Sequence, residues 1–277
     1  MSEDFLAAMA RSSRERVARE RALQPQHELQ ARARDLPPPP GLALSGSGFD
    51  LIAEVKLRSP ASGQLKAGVE DISARVMAYA DAGAAAISVL TEPSRFDGAL
   101  SHLSQAASSL AGRIPVMRKD FLVDAYQVYQ ARVAGAGGVL IILRMLARAE
   151  LEALIEAASQ LGLFALLEAF DATDLRLAAE LVREYGRRTR LLVGVNCRDL
   201  VTLKVVPGRL EALAPLLPRA VPRVAESGVT TGSDAARLVS EGYDVALVGS
   251  ALMQAGDPLA LARALLAAGR SAASARV

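Results

Sequence analysis

The segment Gly138-Val-Leu-Ile-Ile-Leu143 is a short apolar run, and Glu150–Leu161 after it is a longer stretch of helical period. Gly162 then breaks the helix, and a second apolar run, Ala165-Leu-Leu167, begins three residues later. Strand, helix, glycine stop and strand form one repeating unit. The same rhythm runs outward in both directions. Upstream lie Leu51–Val55, Ala85–Leu90 and Val116–Arg118, and downstream lie Leu191–Val195, Arg223–Ala225 and Val245–Val248. These eight candidate strands are spaced by roughly 20–35 residues, enough in each gap for one helix and two loops. Helical stretches fill the gaps, among them Asp71–Ala82, Ala125–Ala134, Ala172–Tyr185 and Ser233–Glu241. Gly83, Gly135, Gly162 and Gly242 follow helical stretches directly, where glycine supplies the left-handed cap conformation.

Eight strand–helix units in a chain of 277 residues predict a (β/α)8 TIM barrel. The rival is a doubly wound open sheet. A dinucleotide-binding version would carry Gly-x-Gly-x-x-Gly after its first strand. Here the first strand is followed by Lys56-Leu-Arg-Ser-Pro-Ala-Ser-Gly63. Before the barrel, residues 1–48 read as an N-terminal helical extension with a Pro-rich connector. Residues up to about 34 are polar and rich in Arg, Glu and Ala, the pattern of one or two exposed helices. Pro37–Pro40 can be neither helix nor central strand, and Gly41–Gly48 ends the extension. The catalytic domain is expected over residues 49–277.

Composition narrows the function. Charged residues make up 22% and hydrophobic residues 51%, which excludes general disorder. The formal net charge of +2 is too balanced for a nucleic-acid binder but leaves room for a local anion pocket. One cysteine, Cys197, excludes an intrachain disulfide, and with two histidines, His27 and His102, it makes a zinc site an unsuitable reading. No segment approaches the roughly 18 apolar residues of a membrane span. The start, Met-Ser-Glu-Asp-Phe, lacks the order of a secretory signal, and the Glu residues that follow argue against a transit peptide. A cytoplasmic protein is expected.

In such a barrel, chemistry sits where the strands end. The first strand ends in Glu54-Val-Lys56, the third runs into Arg118-Lys119-Asp120-Phe121, and the fifth ends in Glu168. The sixth ends in Asn196-Cys197-Arg198, the seventh in Glu226-Ser227-Gly228 and the eighth in Gly249-Ser250. The two-residue period puts Glu54 with Lys56, Lys119 with Phe121, and Asn196 with Arg198 on shared faces. If those faces point inward, three carboxylates and two lysines meet at one mouth, either as structural ion pairs or as reaction machinery. Ser227-Gly228 and Gly249-Ser250 stand where such barrels bind phosphate. The loop Leu57–Glu70, with Arg58, Ser59 and Lys66, reads equally as a lid over an anionic substrate or as a solvated loop. Cys197, between Asn196 and Arg198, is expected to face away from the cavity. His102 is placed on a surface helix.

These strand ends resemble the indole-3-glycerol phosphate synthase family. The matching stretches are Ile52–Pro60, Ile87–Pro93 with Phe96-Asp-Gly98, Pro115–Phe121, Asp124–Tyr129, Gly194–Leu200, Val224–Gly228 and Val248–Met253. Arg-Lys-Asp-Phe and Asn-x-Arg-Asp-Leu are specific, whereas Glu-Ser-Gly and Gly-Ser are shared with other phosphate-binding barrels. The resemblance implies decarboxylating ring closure of 1-(2-carboxyphenylamino)-1-deoxyribulose 5-phosphate, a step of tryptophan biosynthesis, with no cofactor and no metal. It implies that Lys119 is the acid at the ketone oxygen, that Glu168 does acid–base work, and that Glu54 with Lys56 forms a second pair at the reacting atoms. Asn196 and Glu226 match residues that orient polar groups. Arg198 and Ser59 match anion contacts, and Phe121 and Leu200 match the apolar wall of the anthranilate ring. Ser227, Gly228, Gly249 and Ser250 match the phosphate grip. Three positions depart from the family pattern. Ser-Pro-Ala-Ser-Gly replaces Ser-Pro-Ser-Lys-Gly, Asn-Cys-Arg replaces Asn-Asn-Arg, and Ala169-Phe170 stands where a histidine is usual. The competing expectations are a related isomerase barrel and a non-catalytic barrel that binds a phosphometabolite or a partner. The former wants a cysteine at the first strand end. The latter would have lost Lys119 or Glu168. The N-terminal helix can be read as docking an enzyme of the same pathway or, preferably, as covering the barrel.

Overall fold

A computed structural model describes residues 5–60, 63–65 and 71–275. Eight parallel strands close into a barrel. They are β1 (Asp50–Val55), β2 (Ala86–Leu90), β3 (Val116–Lys119), β4 (Gly138–Ile142), β5 (Phe164–Ala169), β6 (Leu191–Asn196), β7 (Arg223–Glu226) and β8 (Val245–Val248). β1 closes the ring by pairing with β8 on one side and β2 on the other. The (β/α)8 expectation is therefore met, with every expected strand in place.

The helices preceding the barrel are α1 (Phe5–Leu23) and α2 (Gln26–Asp35). Those around it include α3 (Ile72–Ala82), α4 (Leu100–Leu110), α5 (Ala125–Val133), α6 (Arg148–Gln160), α7 (Ala172–Tyr185), α8 (Gly232–Glu241) and α9 (Pro258–Ser274). Between β6 and β7 the helix shrinks to Arg209–Leu213. Side-chain caps set several starts: the Asp71, Asp124 and Asp171 carboxylates accept from backbone N–H groups in the first turn. Gly83 (φ 96°) and Gly242 (φ 103°) end α3 and α8 in the left-handed region that a side chain disfavours.

The period-two alternation sorts the strand residues into two cores. Leu51, Ala53 and Val55 face the helices, whereas Ile52 joins Met117, Leu140, Phe164, Leu166, Leu192, Val224, Val245 and Leu247 inside the barrel. The interior is a packed stack of side chains, and Gly138 is one of its joints: a Cβ there would lie 2.4 Å from the Phe164 ring.

The extension differs from the exposed helices expected from its composition. Leu6, Met9, Ala10, Ser13 and Val17 of α1 are buried, and Leu6 and Met9 join the barrel-interior cluster. Their spacing forms one stripe of a helix whose other faces carry the charges that dominate the composition. α2 packs on α5. The proline connector then runs under the barrel: a Cβ on Gly137, just before β4, would meet the Pro40 carbonyl at 2.7 Å. Leu42 and Leu44 pack against the interior cluster, and Ser45 N–H donates to Asp50 at the start of β1 (2.8 Å). One continuous segment thus covers the mouth and closes the base. No helix among the described residues is long and apolar enough to cross a membrane.

Candidate active site

All fourteen residues singled out from the strand ends line one cavity of about 230 Å³ at the C-terminal mouth. Five of them are the final interior residues of strands rather than loop residues. Glu54 pairs in register with Ser88, Lys119 with Leu90, Glu168 with Ile142, and Asn196 with Glu226. The sheet ladder, the most rigid part of the fold, therefore carries the charged groups.

Lys119 is the centre. Its Nζ lies 3.2 Å from Glu168 Oε2 and 3.7 Å from Glu226 Oε2. Lys56 Nζ lies 2.8 Å from Glu54 Oε1, and Glu54, Glu168 and Glu226 are all buried. Burial disfavours the Lys119 ammonium, but Glu168, Glu226 and Glu54 outweigh it and hold its pKa above the ordinary lysine value. Lys119 is thus a cation at neutral pH. Burial likewise disfavours the Glu54 carboxylate, yet Lys56, Lys119 and Arg198 bring its pKa below the usual value. Glu226 goes the other way. Burial and the Glu168 charge push it well above the ordinary carboxylate range, against the opposing pull of Lys119. Among the described residues, no nitrogen or hydroxyl donor reaches either Glu226 oxygen. The Glu168 carboxylate beside it adds like-charge repulsion, so burial and that neighbour together favour the uncharged form of Glu226.

Two glycines make room for these carboxylates. A Cβ on Gly194 would fall 2.3 Å from Glu226 Oε1, and one on Gly249 would fall 2.2 Å from Glu54 Oε1. Asn196 is fixed through its amide oxygen, which accepts from Ser227 Oγ and from Arg198 N, both at 2.9 Å. Its NH2 is the group left for a ligand. Arg198 donates to the Leu203 carbonyl at 2.7 Å, which folds the loop after β6 over the cavity.

The phosphate-class positions also fall at one end of the cavity. Ser227 (φ 69°) and Gly228 (φ 75°) hold the turn after β7 in the left-handed region, and Gly249-Ser250 opens the short helix Ser250–Gln254 after β8. Ser59 is buried in a two-residue hairpin, Arg58–Ser59 with Gly63–Gln64, at the cavity edge. Lys66 and most of the remaining loop lie outside the described residues. Cys197 is buried in the helix-side core and donates to the Ser227 carbonyl (3.2 Å), away from the cavity as expected. His102 lies on α4, half-buried.

The opposite wall is apolar and includes residues the sequence reading missed. Phe5 of α1 lines the cavity and meets the Phe121 ring edge-on at 5.8 Å, while Phe96 lies 6.1 Å from the same ring. Leu140, Ile142 and Leu203 complete it. Phe96 stood in a stretch already singled out, and Phe5 is the lone aromatic residue of the first 48. Its position beside the Leu6/Met9 stripe was the available signal.

Comparison with known proteins agrees with this geometry. The sequence model of the indole-3-glycerol phosphate synthase family matches residues 6–265. Among curated proteins, the indole-3-glycerol phosphate synthase of Nocardioides sp. is 43% identical over 233 residues, 83% of this chain and 86% of that protein. That of Mycolicibacterium smegmatis is 38% identical over 270 residues, 97% and 96% of the two chains. Among solved structures, 3-hexulose-6-phosphate synthase from Salmonella typhimurium superposes with a TM-score of 0.62 at 17% identity. It covers 80% of this chain and 99% of its own, a likeness of fold alone. On the family match over nearly its whole length, the chain belongs to the indole-3-glycerol phosphate synthase family.

Proposed function

We propose that this chain carries out its family's reaction, converting 1-(2-carboxyphenylamino)-1-deoxyribulose 5-phosphate to indole-3-glycerol phosphate with loss of carbon dioxide and water. The observation that carries the assignment of roles is Lys119. It is a cation held between the buried side chains of Glu168 and Glu226, on a wall between aromatic rings and a glycine–serine end.

The anthranilate ring packs against Phe121, Leu200, Phe96 and Phe5. The phosphate sits at Ser227, Gly228, Gly249 and Ser250, whose backbone can approach its oxygens closely. Between them the ribulose ketone faces Lys119. Ring closure joins an aromatic carbon to the ketone carbon, and the ketone oxygen takes a proton from the Lys119 ammonium as it becomes a hydroxyl. Arg198 and Lys56 balance the substrate carboxylate until carbon dioxide leaves and the electrons of the broken bond return to the ring. Dehydration expels the new hydroxyl as water with a proton from one acid, while a base removes a carbon-bound proton. Glu168 and the Glu54–Lys56 pair supply those two functions. Each acid–base contribution is typically worth ~10²–10⁴-fold. Glu226 and Asn196 orient Lys119 and the substrate's hydroxyls.

The partner of the site is a small phosphorylated molecule. A pathway enzyme on the N-terminal helix is the weaker reading, because the apolar stripe of α1 is already covered by the barrel. A cytoplasmic setting rests on the single, free and buried cysteine.

The test is a fluorescence assay with purified protein and the carboxyphenylamino-deoxyribulose phosphate, in parallel with Lys119→Ala. Indole emission from the parent alone establishes the reaction and the role of the lysine. Tight binding without turnover would move the protein to a non-catalytic barrel. Neither binding nor turnover would exclude this substrate.

A further inference from the structure

Past Lys119 the sheet ladder stops, because β3 ends there and β2 and β4 pair no further along it. The chain nonetheless continues in a fixed path, through Asp120 and Phe121, and side chains from other elements take over the hydrogen bonding. The Asp120 carboxylate is fully buried beside Lys119 and accepts from five donors. They are Arg16 Nη1 and Nη2 (3.1 and 2.8 Å), Thr91 Oγ1 (2.8 Å), Arg118 Nη2 (3.0 Å) and the Phe121 N–H (2.8 Å). Arg118, the residue on the other side of Lys119, also donates from Nε to Thr91 Oγ1 (3.1 Å) and from Nη1 to the Gln127 carbonyl (2.9 Å). One step on, Ser13 Oγ donates to the Phe121 carbonyl at 2.6 Å.

Lys119 is therefore flanked on both sides by members of one closed, buried ionic network. That network joins α1, the end of β2, β3 and α5. None of Arg16, Thr91 or Arg118 lines the cavity. The Asp120 carboxylate and the Arg118 guanidinium are held from several directions at once, which favours one arrangement of the network. Arg16, Thr91 and Arg118 act on the reaction only through Asp120, which borders the cavity, and through the direction in which Lys119 and Phe121 emerge.

We propose that Asp120, held by Arg16, Thr91 and Arg118, is a positioning device for the reaction. It sets the Lys119 Nζ against Glu168 and the Phe121 ring against the substrate. This rests on the function proposed above. Arg16 is the most accessible handle, since its removal leaves Asp120 paired with Arg118 and Thr91. A shift of about 1 Å at reacting groups can cost ~10²-fold in rate. A loosened rather than broken network is accordingly expected to cost roughly tenfold.

The experiment measures kcat and KM of the parent, Arg16→Met, Arg16→Lys and Thr91→Val, well below the Tm of each. The parent is measured first, and no turnover there defeats the function reading and not the network. Given parental turnover, the expected result is a fall of about tenfold in kcat for Arg16→Met with KM within about threefold, partial recovery in Arg16→Lys, and a similar fall in Thr91→Val. Thr91→Val keeps the side-chain shape and reads the same network should Arg16→Met fail to fold. A purely structural role would lower Tm and leave kcat intact. Unchanged kcat in the folded variants, a loss confined to KM, or Arg16→Lys no better than Arg16→Met would overturn the proposal.

Discussion

Adding one methyl group at Gly194 tests how closely the site is built around its carboxylates. The new Cβ would stand 2.3 Å from Glu226 Oε1, 3.3 Å from its Cδ and 3.1 Å from Leu166 Cδ1. An ordinary contact begins at 3.4 Å, so the Glu226 oxygen has to retreat by about 1 Å. β6 cannot yield instead, since both of its edges are hydrogen-bonded in the barrel. Retreat of Glu226 moves a carboxyl group that stands 3.7 Å from Lys119 Nζ and changes its spacing from Glu168. Gly194→Ala is therefore expected to lower kcat about 10²-fold. Overpacking costs about 1–3 kcal/mol of stability. The assay is indole fluorescence under saturating substrate, repeated in a Glu226→Ala background. There the new methyl meets no carboxylate, and its further effect on kcat should vanish, because two changes acting through one group do not add. Near-parental kcat in the single variant, or an undiminished loss in the double, would refute the steric reasoning.

Three other outcomes follow from the same geometry. Glu226 holds its proton because burial and Glu168 raise its pKa; as pH rises through that value a third carboxylate forms beside an anionic substrate, and kcat/KM falls. Glu226→Gln stays uncharged at every pH, so its pH profile should lack that alkaline limb, and an identical limb would count against the assignment. Asp120 is disfavoured by burial but brought well below its usual pKa by Arg118, Arg16 and Thr91. A depressed carboxyl contributes stability above its unfolded value of ~3.9 and loses it as pH falls from there, so Tm between about pH 5 and 3 should drop more steeply in the parent than in Asp120→Asn. Leu42→Ala and Leu44→Ala, at the half-buried base, should each cost about 1–2 kcal/mol in denaturant unfolding with KM unchanged. A changed KM would mean that the base communicates with the mouth.

The barrel was legible because its signals are local. Apolar runs, helical period and glycine stops each depend on neighbours in sequence, and they recur eight times. The strand ends were read short at Lys119, Glu168, Asn196 and Glu226, since a polar or charged residue closed each apolar run while the backbone ladder continued through it. The interior of such a barrel is apolar only up to the level of the chemistry. Above it, polarity and sheet pairing coexist. The inner face of α1 was hidden for a different reason. Its five buried residues are outweighed by arginines and glutamates on the other faces, so mean composition reported the solvent side. The hydrogen bonds that tie Asp120 to α1 span 104 residues and leave no periodic trace. The Asp120 network was beyond local reading because only the closed barrel brings its partners together.

That separation also bears on the order in which the molecule can be assembled. α1 leaves the ribosome before the barrel strands, and its seat at Asp120 and Phe121 is made more than a hundred residues later. At translation rates of ~5–20 residues per second, the helix waits roughly 5–20 s for its anchor to be synthesised, and longer for the floor that receives Leu42 and Leu44. During that interval its apolar stripe has no native partner. The extension is thus made before the barrel and among the last parts to be seated, and the aromatic wall of the cavity is completed only when it docks.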